Sequence, residues 1–220
     1  RDVRGRMRKM KGAFSGGTAA SMLATYEAVR KDPSIGAQMQ DPFALAPQRL
    51  ASQPDGDTPT EDADINAWSG PFVMAAINTK NVHRTNALAG YPYGRDFTYS
   101  EMMLTGSGSK GRQRAKALAG AAKMQRALLG FAPTRALITQ FALPKPGQGP
   151  NKEQRETGMF DVLYVGATAD GRMLKASVHG DKDPGYGSTS KMISEAALVL
   201  KDISRQTTPG GIWTPAAAMG

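Results

Sequence analysis

Near its start the chain carries a basic, alternating run (Val3, Arg4, Arg6, Met7, Arg8, Met10). That run meets Ser15-Gly16-Gly17-Thr18 and passes at once into an Ala/Met/Leu-rich stretch of helical character. A strand must therefore become a helix within a few residues. Glycine adopts backbone angles that other residues resist and has no side chain to block close approach. A turn of this kind leaves backbone N–H groups and a hydroxyl pointing outward, a seat for a phosphate, a carboxylate or an enolate-like oxygen. The plainer reading is a tight corner with Ser15 or Thr18 as helix N-cap. The local residues alone leave both open.

With 220 residues, 40% of them hydrophobic, the chain can bury a core as one large domain or two small ones. It has no cysteine, which excludes disulfides and thiolate metal sites. His83 and His179 lack the spacing of a zinc site, so no metal is expected. No apolar run approaches the roughly 20 residues of a membrane helix, and no signal-peptide pattern is visible. A cytoplasmic protein is expected, with peripheral membrane contact as an addition. Because Arg1 sits directly in strand-like sequence, a piece of a longer protein is expected. The net charge is +9, with clusters at residues 1–11 and at 108–130, where six cations stand without an acid. No helix-turn-helix, zinc finger or aromatic single-strand platform accompanies them, so nucleic acid is not an expected partner. A solvated basic face, or one that meets an absent acidic domain, is the expectation.

The helix after the corner should end at Asp32-Pro33. Residues 32–71, with six prolines, read as a long irregular loop, a lid or partner-binding segment. Phe72 to Leu88 reads as helix with a polar side that includes Asn81 and Arg84, broken at 90–94. Phe97 to Thr105 reads as a strand and Arg112 to Leu129 as a helix. A hairpin follows over 159–179 with its turn at Asp170-Gly171, and then an amphipathic helix carrying Met192, Ala196, Val199 and Ile203.

Gly106-Ser107-Gly108-Ser109-Lys110-Gly111 matches the dinucleotide fingerprint between a strand and a helix. Two features argue against it. The preceding strand carries Glu101, whereas the first strand of a nucleotide fold is almost wholly apolar. The ribose-binding acid is also missing, since no Asp or Glu lies between Glu101 and Glu153. Residues 179–189, His-Gly-Asp-Lys-Asp-Pro-Gly-Tyr-Gly-Ser-Thr, join a strand to a helix. Ser188 or Thr189 can cap that helix, and Tyr186 offers a phenol either as proton donor or as packing over its own turn.

The segments share an order along the chain. Lys11-Gly12-x-x-Ser15-Gly16-Gly17-Thr18-x-x-Ser21, Asp41-Pro42-x-x-Leu45, Asn81-Val82-x-Arg84-x-Asn86-Ala87-Leu88 and Tyr93-Gly94-x-x-Phe97-x-Tyr99-x-Glu101 come first. Pro144-Lys145-Pro146-Gly147-x-Gly149-Pro150, Gly158-x-Phe160 and Gly180-x-x-Asp183-Pro184-Gly185-Tyr186-Gly187 follow. Together they resemble the saccharopine dehydrogenase-like oxidoreductases, in particular the trans-acting enoyl reductases of bacterial lipid synthesis.

The resemblance implies a two-part enzyme in which an N-terminal Rossmann domain binds NAD(P)H. The present chain then resembles the second domain, residues 1–220, serving substrate binding and dimerisation. It implies an α/β fold, α+β-like, with a mixed, largely antiparallel sheet covered by helices. The cofactor is expected in the full-length protein, held mainly by the missing domain, with none in this piece. The expected partners are that Rossmann domain, a second copy in a homodimer, and an anionic membrane at the periphery.

The expected function is reduction of a polarised C=C or C=O on a lipid-like substrate. Tyr186 is the candidate proton donor. Ser15, Gly16, Gly17 and Thr18 are candidates to hold the substrate oxyanion. Asp183, Gly185, Gly187 and Ser188 belong to the facing loop, and Asn81 and Arg84 to the substrate wall. The competing expectation is a non-catalytic binding module whose basic faces dock on anionic lipid or a protein partner.

Overall fold

A computed structural model describes residues 1–13 and 15–220. Phe14, inside the corner read from the sequence, lies outside the described residues. The basic alternating run is strand β1 (Asp2–Lys11), and the corner opens helix α1 (Gly16–Lys31). Asp32 closes α1 and caps α2 (Pro33–Gln40) through its side chain, with Pro33 at the first helical position, where its missing N–H costs nothing. Next come β2 (Thr60–Asp62), a single 3₁₀ turn (Ala63–Ile65), β3 (Ala67–Pro71) and α3 (Ala75–Leu88). The second half holds β4 (Thr98–Gly106), α4 (Gly108–Gly130), α5 (Ala132–Phe141), α6 (Lys152–Glu156), β5 (Met159–Ala167), β6 (Met173–Gly180), α7 (Gly187–Asp202) and α8 (Pro215–Met219).

The six strands form one sheet in the order β2-β3-β4-β1-β5-β6. β1 and β4 pair in parallel, and every other neighbouring pair is antiparallel. The expected fold class, mixed and largely antiparallel, is therefore the observed one. One sheet face is packed by helices: Gly70 of β3 lies against Ala115 and Leu118 of α4, and Asn78 of α3 donates to Glu101 of β4 at 2.7 Å. Phe43, Phe72, Phe97, Tyr99, Met102, Ala115, Ala119, Leu129 and Val165 are buried. Gly5 leaves the room in which Tyr99, Glu101 and Tyr164 gather. Tyr99 donates to Glu101 at 2.6 Å. Burial, reinforced by that carboxylate, pushes the Tyr99 phenol well above the ordinary tyrosine value.

Two expectations change here. The first half of the basic run on β1 is not a solvated face, whereas residues 8–11 are exposed. Arg4 donates to Asp62 (2.7 Å) and to Asp64, Arg6 is 3% exposed and donates to Asp62 (3.2 Å), and Arg8 donates to Asp161 (2.6 Å). These acids are remote in sequence, so the run looked unpaired. Residues 32–71 are also partly regular: they hold α2, β2 and β3, because Trp68 to Pro71 pair with the C-terminal half of β4. Proline count misled the reading, since Pro33 starts a helix and Pro71 is the last residue of a strand.

Candidate functional site

The glycine-rich loops leave the sheet at one end. β1 runs toward Lys11, its parallel neighbour β4 toward Gly106 and β6 toward Gly180, while antiparallel β5 begins there at Met159. Three segments remote in sequence meet at that end: the corner at 12–18, the loop at 144–150 and the loop at 180–188.

Ser15 is the N-cap of α1, and its Oγ accepts the Thr18 N–H at 3.1 Å. The Tyr186 hydroxyl donates to the same Oγ at 3.1 Å, and Thr18 Oγ1 lies 3.0 Å from it. A serine oxygen has two lone pairs and one proton. With both lone pairs occupied, its proton goes to Thr18 Oγ1. Donation therefore runs from Tyr186 through Ser15 to Thr18, leaving the Thr18 hydroxyl proton for a ligand. Ser15 is 1% exposed, whereas Thr18 and Tyr186 reach solvent. Gly17 is exposed beside them, and a Cβ there would lie 3.6 Å from the Tyr186 hydroxyl. The bare backbone keeps the approach to the hydroxyl pair open.

Gly16 is bare for a different reason. Its N–H donates to the Gln148 carbonyl at 2.8 Å, and a Cβ would collide with the Lys145 carbonyl. The 144–150 loop is thereby pressed onto the start of α1, with Gly149 against Ser15 and Tyr186.

Asp183 joins the third segment. It is fully buried. Its Oδ2 accepts the N–H groups of Tyr186 (2.7 Å) and Gly187 (3.3 Å), and its Oδ1 accepts the Ala13 N–H (3.3 Å). One carboxylate thus caps the approach to α7 and ties it to the β1–α1 corner. Gly12 permits this, because a Cβ there would stand 2.6 Å from Oδ1, and Gly158 lies directly against the Asp183 backbone. Gly187 approaches the Arg155 carbonyl as closely, and the Asp183 N–H donates to that carbonyl at 3.0 Å.

Of the residues expected from sequence, Ser15, Gly16, Gly17, Thr18, Asp183, Gly185, Tyr186 and Gly187 come together. Ser188 is nearby but turned inward, its hydroxyl donating to the Lys182 carbonyl at 2.9 Å, so it is a brace and not a cap. Asn81 and Arg84 are not part of this cluster. Asn81 donates to Ile77 of its own helix, and Arg84 ties the Leu45 carbonyl (3.1 Å) and the Ile212 carbonyl (3.5 Å) to α3. Their helix packs toward the start of β4, where His83 meets Phe97, the end of the sheet away from the glycine loops. Gly12, Gln148 and Gly158 were missed as site-builders. For Gly12 and Gly158 the signal was the recurrence of glycine in short motifs, which marks a close backbone approach; Gln148 carries no such signal. Among the described residues no cluster of His, Asp and Glu is fit to hold a metal ion.

Fold and site define an α/β domain with a hydroxyl triad at the loop end of a mixed sheet. Proteins with matching sequences are called trans-acting enoyl reductases. A Mycobacterium tuberculosis (strain H37Rv) protein given that name provisionally is 36% identical over 231 residues, covering 97% of this chain and 54% of its own length. The trans-acting enoyl reductase of Mycobacterium ulcerans (strain Agy99) is 34% identical over 228 residues, covering 94% and 52%. That of Mycobacterium bovis (strain BCG) is 32% identical over 222 residues, again covering 94% and 52%. The chain thus spans about half the length of the relatives it matches. No protein family model and no solved structure matches it.

Proposed function

We propose that this chain is the substrate-binding part of a saccharopine dehydrogenase-like oxidoreductase that reduces a polarised C=C or C=O, on a lipid-like substrate. The observation that carries the reading is the hydroxyl chain Tyr186–Ser15–Thr18 at the sheet end where the glycine loops converge. The names of the relatives support an oxidoreductase-type role.

The sheet of this chain does not fit a dinucleotide domain, because it has a single parallel pair where a doubly wound fold stacks several. NAD(P)H is therefore assigned to the rest of a longer protein, where it supplies the hydride. The chain's own residues do the remaining work. Thr18 Oγ1 donates to the substrate oxygen as charge develops on it. Ser15 gives its own proton to Thr18 Oγ1 and takes one from Tyr186, whose phenolate is reprotonated from solvent. Asp183 holds Tyr186 in place by its backbone, and Gly17 leaves room for the substrate to approach.

In the full-length enzyme, Thr18→Val and Tyr186→Phe should each lower kcat about a hundredfold, the size of one acid–base contribution, with little change in KM. Thr18→Ser should recover most of the rate. Since the two hydroxyls act in one chain, the double variant should cost no more than the worse single one. Unchanged turnover in both single variants sinks the assignment.

A further inference from the structure

All of the chain's net charge lies in one stretch. Residues 102–152 carry nine Lys and Arg and no Asp or Glu, out of 28 basic and 19 acidic residues in the whole chain. Outside that stretch nineteen cations balance nineteen acids. The stretch folds into the end of β4, α4, α5 and the loop behind them. Lys110, Arg114, Lys116 and Lys123 project from α4 into solvent without an ion-pair partner among the described residues. Three others are paired: Arg126 with Asp57 at 3.1 Å, Lys152 with Glu156 at 3.9 Å, and Arg135, which is turned inward, donating to the Leu129 carbonyl at 2.9 Å and lying 3.6 Å from Glu27.

The same helix pair exposes large apolar side chains. Met124 is 65% exposed, Phe131 62%, Leu137 64% and Phe141 76%. Phe131 stands at the elbow between α4 and α5, and Leu137 and Phe141 follow on α5. Scattered apolar surface is ordinary, but four such residues beside an acid-free cationic helix are a patch. Asp57 meets Arg126, but the four unpaired cations leave the patch net positive, so its partner carries the opposite sign. A helix elbow that pushes Phe and Leu outward, with lysines along its flank, has the form of an interfacial membrane element.

We propose that the α4–α5 elbow docks this protein on an anionic lipid bilayer. Phe131, Leu137 and Phe141 enter the boundary between headgroups and acyl chains, while Lys110, Arg114, Lys116 and Lys123 meet the lipid phosphates. The helices lie on the surface and do not cross it; no helix among the described residues is long and apolar enough to span. The docking stands independently of the hydride-transfer reading.

The test is co-sedimentation of the 220-residue chain with vesicles of phosphatidylcholine alone or mixed with phosphatidylglycerol. Binding is expected only to the mixed vesicles and should fade as salt is added. Phe131→Ser with Phe141→Ser should weaken it at least tenfold, and Lys116→Glu with Lys123→Glu by about fivefold per cation lost. All four side chains are exposed, so circular dichroism and melting should match the parent. Tyr186→Phe should bind vesicles as the parent does, which separates this surface from the proposed catalytic chain. Equal binding to neutral vesicles, or indifference to both variant pairs, overturns the proposal. So does self-association that the Phe131/Phe141 variant abolishes in the absence of any vesicle binding, because the patch would then join copies of this chain.

Discussion

At Asp183 a buried carboxylate has no ion-pair partner among the described residues and is satisfied by three backbone N–H groups, from Ala13, Tyr186 and Gly187. Replacing it with Asn keeps one acceptor but turns an NH₂ toward donors. With a charged acceptor lost and N–H groups left unpaired, Asp183→Asn should cost about 2–4 kcal/mol, read by urea denaturation. The sequence shows Asp183 only as one of several loop polar residues. Its partner Ala13 is 170 residues away, and no local pattern announces such a contact. His83 poses the opposite case. It is 3% exposed, its Nε2 has no partner among the described residues, and its ring stacks 4.3 Å from Phe43 and lies edge-on to Phe97 at 5.9 Å. Burial holds its pKa below the ordinary histidine value. Above about pH 6.5 the imidazole is neutral in both folded and unfolded chains. Below that the unfolded chain takes a proton that the folded one refuses, so stability falls with pH until the lowered folded value is reached. His83→Phe should flatten this slope in melts recorded from pH about 7.5 to 5. A slope unchanged in that variant would assign the dependence elsewhere.

Elements of strong periodicity were visible from the residues, and short ones were not. β1, β4, the β5–β6 hairpin, α4 and α7 announce themselves through alternation, helical spacing or a turn dipeptide. β2 and β3 do not, since three and five residues without alternation become strands only because β4 offers an edge. The most instructive case is Gln53, which lies in no element. Its Oε1 accepts the Tyr99 N–H at 3.0 Å and its Nε2 donates to the Phe97 carbonyl at 3.1 Å. A side-chain amide thus pairs with β4 where β3 has already ended, standing in for a strand. Gln53→Ala should leave both backbone groups without a partner and cost about 1–3 kcal/mol. Amide exchange gives the sharper reading: the Tyr99 N–H should lose protection, while Met103, paired with Gly70 of β3, keeps it. Equal protection at Tyr99 in both proteins would show that water replaces the amide at no cost.

On the scale of the whole molecule, sheet topology decides how the fingerprint-like loop is to be understood. Gly106-Ser107-Gly108-Ser109-Lys110-Gly111 does connect a strand to a helix, as the sequence suggests. Gly106 and Gly108 have positive φ (106° and 60°), and a Cβ on Gly111 would collide with the Gly106 carbonyl. Thr105 then braces the turn, its single hydroxyl proton shared between the carbonyls of Trp68 (3.0 Å) and Gly111 (2.9 Å). These glycines close a tight strand-to-helix corner, and β4 is flanked by antiparallel β3 on its other side. A dinucleotide needs more than the corner: it lies across the carboxyl ends of several parallel strands and rests its ribose on an acidic side chain. Only β1 pairs with β4 in parallel, and no Asp or Glu lies between Glu101 and Glu153 to hold the ribose. Arg112, just past this corner, lies over the Trp68 ring at 5.3 Å. NADPH titrated into this chain should therefore leave its melting temperature and the Trp68 fluorescence unchanged at millimolar cofactor. Adding the other half of the relatives' length should restore binding. Saturable binding to the 220-residue chain alone, lost in Gly108→Ala, would mean that the corner accepts a pyrophosphate after all and that hydride donor and acceptor sites share this single sheet.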